Sequence, residues 1–317
     1  MCEALINEGE SVVCVDDFSS GSESNVAHLI SSPRFELIVG DACEVLTDIS
    51  GPISSVSHLA SPAAPPDYLA RPLETLSVGS RGTEAGLKLA NSHGARFLLA
   101  STSEVYGDPL VHPQVESYWG NVNPVGPRSV YDEAKRFSES LAAAYRRTLG
   151  SNTGIVRIFN TYGPRLRAGD GRVVSNFVVQ ALSNEPLTVY GDGSQTRSLC
   201  YVDDLVQGLL SMIRSQASGP VNLGNPTELT VLQLAKLVLR LTGSGSQLVH
   251  RPLPQDDPTR RRPDVTLAKS VLNWEPNVQP EEGILRTISW FQQQRDRLQS
   301  GPGAPQRSPA PPEEALP

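Results

Sequence analysis

Short apolar runs alternate with longer stretches of helical period along the first half of the chain. Runs at 11–15, 35–39, 53–59, 96–100 and 154–159 have strand length and are bounded by polar or turn-forming residues. Helical stretches lie between them, of which 73–92 and about 131–148 are the longest. CEALINEG (2–9) reads as the end of a helix, with Gly9 as its stop. Strands alternating with helices predict a parallel, doubly wound α/β sheet. After Asn160 the pattern changes, and helical patterns at 173–183, 203–215, 230–242 and 281–298 are separated by Gly/Pro-rich loops. That predicts a first domain over 1–163 and a smaller α/β domain over 164–298, some of whose segments return to the first. The stretch 299–317 is Pro-rich, cannot bury enough apolar surface to fold, and is expected to be a disordered tail.

Composition narrows the picture. The chain has 317 residues and a net charge of −7, which argues against bulk nucleic-acid binding. Its four cysteines (Cys2, Cys14, Cys43, Cys200) form no CxxC pair, so reduced thiols are expected rather than a disulfide frame or a metal site. No apolar run approaches the roughly 20 residues that span a membrane. MCEALINEGE lacks the basic flank and apolar core of a signal peptide, so a cytoplasmic location is expected.

Three places carry candidate chemistry. The run Val12–Val15 ends on Asp16-Asp17, as the second strand of a dinucleotide-binding unit ends on an acidic residue for the adenosine ribose. In YDEAK, Tyr131 and Lys135 are four apart at a helix start and share a face. An ammonium near a phenol lowers the phenol pKa, and such a Tyr can exchange a proton with a sugar hydroxyl. The same pair also reads as an exposed i,i+4 contact. The strand at 96–100 runs into Ser101-Thr102-Ser103-Glu104, beyond the carboxyl end of a parallel strand, where such sheets bind ligands. A helix cap or turn is the alternative there.

Taken together, STSEVYG (101–107), YDEAK (131–135), RIFNTYGPR (157–165), VYGDGSQTRS (189–198), YVDDL (201–205) and NLGNP (222–226) resemble, in order, the extended short-chain dehydrogenase/reductase superfamily. HLASPAAPPDY (58–68), GDPLVHPQVESYWGNVNP (107–124), DGRVVSNFV (170–178) and DDPTRRRPD (256–264) are similar to the UDP-glucuronate decarboxylases within it. The resemblance covers about residues 10 to 295 and implies a Rossmann-like first domain, NAD as cofactor and a UDP-sugar substrate.

The resemblance implies a mechanism. NAD oxidises C4 of the glucuronosyl ring, the C5 carboxylate leaves as carbon dioxide with the electrons delocalised into an enolate, and reprotonation at C5 and return of hydride to C4 yield UDP-xylose. Tyr131 is then the acid and base at C4, Lys135 lowers its pKa and holds the nicotinamide ribose, and Thr102 orients the C4 oxygen. Ser103 and Glu104 face C5 and C6. The related 4,6-dehydratases have Asp-Glu where this chain has Ser103-Glu104, and serine is too weak an acid to expel a C6 hydroxyl. Asp16, Asp17, Phe18, Ser19, Ser20, Gly21, Asp41, Ala42, Leu59, Ala60, Ser61, Thr161, Arg167 and Arg172 match cofactor positions. Asn160, Ser175, Asn176, Tyr190, Gln195, Arg197 and Arg261 match substrate positions. In the plainer reading Asp41 caps a turn, Leu59 is core and Arg260–Arg262 is a solvated loop.

Two departures stand out. The family's Gly-x-x-Gly-x-x-Gly turn and the strand before it are not in the sequence. Two unpaired strand edges and weakened NAD binding are expected; a truncated or misplaced start of an active enzyme is favoured over a defective form. Gly79 stands where relatives place an Asn, which implies lost packing or a lost polar contact. A 4,6-dehydratase, a 4-epimerase and a non-catalytic nucleotide-sugar-binding protein are the rival functions. The resemblance further implies a homodimer through the helices near 73–92 and 131–148, with Phe137, Leu141 and Tyr145 on one face.

Overall fold

The computed structural model describes residues 1–253 and 260–300. The first half alternates as the hydrophobic pattern predicts. It contains α1 (Cys2–Asn7), β1 (Val12–Asp16), β2 (Phe35–Val39), α2 (Ala42–Val45), β3 (Ser55–His58), α3 (Pro65–Ala70), α4 (Pro72–Ser77), α5 (Thr83–Ser92), β4 (Arg96–Thr102), α6 (Ser129–Leu149) and β5 (Thr153–Ile158). The second half adds β6 (Thr161–Tyr162), α7 (Val173–Leu182), β7 (Leu187–Tyr190), β8 (Thr196–Ser198), β9 (Cys200–Tyr201) and α8 (Val202–Arg214). It ends with β10 (Val221–Leu223), β11 (Glu228–Thr230), α9 (Val231–Thr242), β12 (Leu248–Arg251), α10 (Thr266–Leu272) and α11 (Pro280–Ser300). The expected tail over 299–317 lies outside the described residues, except that α11 runs on to Ser300.

The main sheet is parallel with strand order β10-β5-β4-β3, and β1 pairs with β2 in a separate parallel ladder. Among the described residues no ladder joins β1 to β3, so each keeps one unpaired edge. β4 is buried along its whole length and packs on both faces. Phe97 and Leu99 turn to Leu87 and Ala90 of α5 and Ala142 of α6, while Leu98 turns to Leu205, Leu209 and Met212 of α8. Alternation on a strand covered from both sides explains why FLLA (97–100) reads as one continuous apolar run. Each such leucine contributes roughly 1.5–3 kcal/mol on burial.

Residues 202–223 and 266–272 sit on the sheet of the first half: α8 and α10 cover one face, and β10 extends it beside β5. The remaining second-half elements form their own core, in which α7, α9 and α11 enclose Leu187 and Val189 of β7. A reciprocal Thr230–Gln233 capping box starts α9, and left-handed Gly243 stops it. The short strands β7 to β12 escape the sequence pattern because each has only two to four residues.

The helix predicted over 73–92 forms as one uninterrupted helical run from Pro72 to Ser92. A widened turn at Val78–Gly82 joins α4 to α5 within it. A side chain at Gly79 would put its Cβ 2.7 Å from the Cβ of Ala134 on α6, so only glycine permits this approach. Ser138 Oγ donates to the Gly79 carbonyl at 2.6 Å and accepts from Thr83 Oγ1, so the backbone carbonyl at this position has a side-chain partner.

Candidate functional site

β4 delivers Ser101 and Thr102 to the carboxyl edge of the sheet, and the tight turn Ser103–Tyr106 follows at once. Thr102 Oγ1 accepts the Glu104 amide at 3.2 Å and so caps that turn. Beneath it, Ser101 Oγ donates to Glu139 of α6, which also takes both arms of Arg157 from β5 at 2.9 and 2.8 Å. These partly buried contacts tie the strand end to the helix that carries Tyr131 and Lys135.

Tyr131 and Lys135 are both buried in α6. Lys135 Nζ donates to the Ala100 carbonyl at 2.9 Å and lies 5.8 Å from the centre of the Tyr131 ring. The exposed-pair alternative is therefore excluded. Burial pushes the Lys135 ammonium down to about 8. The Tyr131 phenol moves opposite to the expectation. Burial raises it to about 12, reinforced by Glu104 and Asp132, against the lowering effects of its hydrogen bond with Thr102 and of Arg172. Desolvation outweighs the cations near the ring.

Glu104 collects positive charge. Arg128 Nη2 donates to its Oε2 at 2.8 Å, Arg261 Nη2 donates to the same oxygen at 3.0 Å, and Arg261 Nη1 donates to Oε1. Burial would raise this carboxyl, but Arg261 and Arg128 overcome that and hold it at about 2. Sequence reasoning included Glu104 and Arg261 but missed Arg128, Asp132 and Tyr68. Tyr68 is 1% exposed and stacks on Tyr131 with ring centres 5.3 Å apart, and its hydroxyl has no hydrogen-bond partner among the described residues. The signals were present in PPDY and in the Arg three residues before Tyr131, but nothing in spacing says that α3 folds over α6.

The cofactor-position residues form a rim. Asp16 ends β1 and accepts the Phe18 amide at 2.8 Å; Asp17 accepts that of Ser19 at 2.9 Å. Phe18 takes φ 52, which turns the chain toward Ser20 and Gly21, and the Ser19 carbonyl accepts from Arg71. Leu59, Ala60 and Ser61 follow β3, with Leu59 exposed rather than core. Asp41 caps α2 through the Cys43 amide, and Ala42 packs under Leu46. Thr161 binds the Phe159 carbonyl from β6; Arg167 grips Asp67 with both oxygens within 2.8 Å; Arg172 pairs with Asp170 at 3.6 Å. A cavity of about 530 Å³ is lined by Ser20, Gly21, Ser61, Arg167 and Arg172, among others.

These residues fit a dinucleotide at its two ends. The Asp16 carboxylate lies beside Gly21, and among the described residues the buried Ser61 hydroxyl has no hydrogen-bond partner. At the other end stand Lys135 and Tyr131.

The substrate-position residues are more scattered. The Asn160 carbonyl accepts the Cys200 amide. Ser175 is fully buried in α7 with its hydroxyl on Asp170 at 2.5 Å, and Asn176 follows it. Tyr190 ends β7, Gln195 donates to its carbonyl at 2.6 Å, and Arg197 lies on β8 with a bond to the Thr196 carbonyl. Only Arg261 of this set touches Glu104; it is 5% exposed, so it is no solvated loop residue.

Comparison with known proteins follows the geometry. The model of the NAD dependent epimerase/dehydratase family matches residues 1–224. UDP-glucuronic acid decarboxylase 1 of Xenopus tropicalis is 48% identical over 310 residues, which is 98% of this chain and 73% of that protein. The protein of the same name in Danio rerio is 52% identical over 291 residues, 92% of this chain and 69% of its own. UDP-glucose 4-epimerase of Thermotoga maritima, solved with UDP-glucose, superimposes with a TM-score of 0.85 at 28% identity, covering 92% of this chain and 94% of that one. Among the described residues no helix is long and apolar enough to cross a membrane, and no cluster of side chains could hold a metal ion. The chain belongs to the NAD dependent epimerase/dehydratase family and, within it, to the UDP-glucuronic acid decarboxylases.

Proposed function

We propose that this chain decarboxylates UDP-glucuronate to UDP-xylose with NAD as a redox cofactor that each turnover restores. The observation that carries the reading is the convergence of Arg128 and Arg261 on Glu104, next to Thr102 and Tyr131, where a substrate carboxylate would meet positive charge. When bound, NAD supplies the hydride acceptor for C4 and the donor for its return. Tyr131 and Thr102 share the proton of the C4 oxygen. Once C4 is a ketone, the C5 carboxylate lies β to it. Carbon dioxide then leaves as its bonding electrons pass to the C4 oxygen, which Tyr131 and Thr102 stabilise by hydrogen bonding, and the enolate takes a proton at C5 from solvent before hydride returns to C4. Ser103 and Glu104 face C5 and C6, and Lys135 holds the nicotinamide ribose. The remaining cofactor-position residues are assigned to the NAD rim, and Asn160, Ser175, Asn176, Tyr190, Gln195 and Arg197 to the nucleotide and sugar.

The chain is further proposed to act in the cytosol as a homodimer. Leu73 and Leu76 of α4 and Phe137 of α6 are exposed apolar residues that support a helical interface. Leu141 and Tyr145 are partly buried beside the core between α5 and the sheet, and so offer less exposed surface than Phe137. Light scattering of the purified chain tests the dimer, and cell fractionation tests the location. The activity test is incubation with UDP-glucuronate and NAD while carbon dioxide and the sugar product are followed. UDP-xylose with stoichiometric carbon dioxide is expected; a 6-deoxy-4-keto sugar made from a nucleotide hexose would overturn the assignment.

A further inference from the structure

Between the turn at Ser103–Tyr106 and α6, residues 107–128 form no helix and no strand longer than an isolated bridge. In that stretch Gln114 is 1% exposed and lies against the loop that brings Arg261 to Glu104. Its backbone amide donates to the Arg262 carbonyl and its carbonyl accepts from the Asp264 amide, both at 2.9 Å. The same carbonyl accepts from Asn222 Nδ2 of β10 at 3.0 Å, which ties the two segments to the main sheet. Any residue but proline could make those backbone bonds. The side chain adds something that most residues cannot: Gln114 Oε1 accepts the Arg262 amide at 2.8 Å, while Nε2 donates to the Val111 carbonyl at 2.8 Å. The Arg262 amide belongs to the rigid peptide plane that starts at the Arg261 Cα. A bond to that amide fixes the backbone on which the Arg261 side chain stands, and Arg261 Nη2 reaches Glu104 Oε2 at 3.0 Å.

We propose that Gln114 is a positioning residue for substrate selection: its side-chain amide sets the Arg261 backbone, so that the Arg261 guanidinium stands where the carboxylate of the sugar arrives. The proposal deepens the uronate reading above and rests on it. An arginine side chain has many rotamers, and its planar fork recognises a carboxylate only from a fixed place. A leucine at 114 has a similar size and leaves the backbone bonds of this residue intact. It deprives the Arg262 amide of its acceptor, so the peptide plane after Arg261 is free to turn. A glutamate restores the acceptor, because a carboxyl oxygen can take the Arg262 amide whether the group is protonated or not. A misplacement of about 1 Å at a recognition group is enough to cost up to about 10²-fold.

Calorimetry of two sugars tests this, with Y131F as the parent chain so that the substrate stays intact during the titration. UDP-glucuronate and UDP-glucose are titrated into the parent and into the same chain carrying Q114L, Q114E, R261M or Q114L/R261M. UDP-glucose has the same nucleotide and ring but no carboxylate. Q114L should weaken UDP-glucuronate about tenfold or more and leave UDP-glucose level. Q114E should keep the parent's preference for UDP-glucuronate. In the R261M chain, Q114L should cause no further loss, because the residue through which Gln114 acts is already gone. An unchanged affinity for UDP-glucuronate in Q114L would overturn the proposal, as would an equal loss for both sugars, a loss in Q114E as large as in Q114L, or a full further loss on top of R261M. Should Q114L not fold, hydrogen exchange of the wild-type chain still decides: the Arg262 amide should be protected, and exchange at the rate of an open chain would overturn the proposal. If R261M by itself leaves UDP-glucuronate binding unchanged, the proposal falls through the substrate reading and not through Gln114.

Discussion

Arg157 provides the sharpest test of how the site is held. Its side chain is 11% exposed and that of Glu139 is 14% exposed. It gives two bonds to Glu139 at 2.9 and 2.8 Å and two more, at 3.0 Å, to the Tyr106 hydroxyl and the Glu116 carbonyl. Its guanidinium also lies 4.8 Å from the centre of the Tyr106 ring. Replacing Arg157 with Met keeps most of the stem but strands Glu139 in the interior with Ser101 as its remaining donor. Removing one partner of a buried ion pair costs about 3–5 kcal/mol, because the other charge stays desolvated. For a chain of this size the unfolding entropy is roughly 0.7 kcal/mol/K, so each kcal/mol lowers the melting midpoint by about 1.5 °C and R157M should melt about 4–8 °C below the wild type. Thermal unfolding followed by circular dichroism in one buffer measures it. The double variant R157M/E139Q removes the stranded charge and should regain about 1–3 kcal/mol of that loss. A fall of less than about 2 °C for R157M alone would show that the pair carries no net stability and that the reasoning is wrong.

Other outcomes follow from the same geometry. Replacing Tyr131 by Phe should lower turnover of UDP-glucuronate about 10²–10⁴-fold while calorimetry still detects substrate binding; undiminished turnover would remove Tyr131 from the chemistry. Gly107 has φ 63, and a Cβ there would sit 2.0 Å from the Asn121 carbonyl oxygen. G107A should therefore cost more than about 1 kcal/mol in urea unfolding and disturb the turn that carries Glu104, whereas G94A, with a similar φ but open space around it, should cost less. Glu104 is held at about 2 against burial by Arg261 and Arg128. A depressed carboxyl contributes stability above its unfolded value of about 4.3 and loses it as pH falls toward the folded value. Between pH 4.5 and 2, E104Q should show a shallower loss of stability than the wild type, measured by urea midpoints at each pH.

The first-half strands and helices were legible in the chain because burial there is periodic. Phe97, Leu98 and Leu99 read as a two-sided strand, and the α6 pattern carries through to the stop at Gly150. The widened turn at Val78–Gly82 was not legible, since the run stays helical through it and only the approach of Ala134 to Gly79 marks the place. Nor were β7 to β12, whose pairing is set by partners distant in sequence, such as β12 beside β7 and β10 beside β5.

The site divides in the same way. By itself the chain determined the residue types of the chemistry: a Tyr and a Lys four apart, a polar strand end at Thr102, and an acidic end to β1. Those are local facts, fixed by helical and strand periodicity. Tertiary structure alone decided which charges meet. Arg261 reaches Glu104 across 157 positions, Tyr68 stacks on Tyr131 from another helix, and burial moves the Tyr131 phenol up rather than down. The physical reason is that electrostatic energies depend on distance and on exclusion of water, and a sequence states neither until the chain has folded.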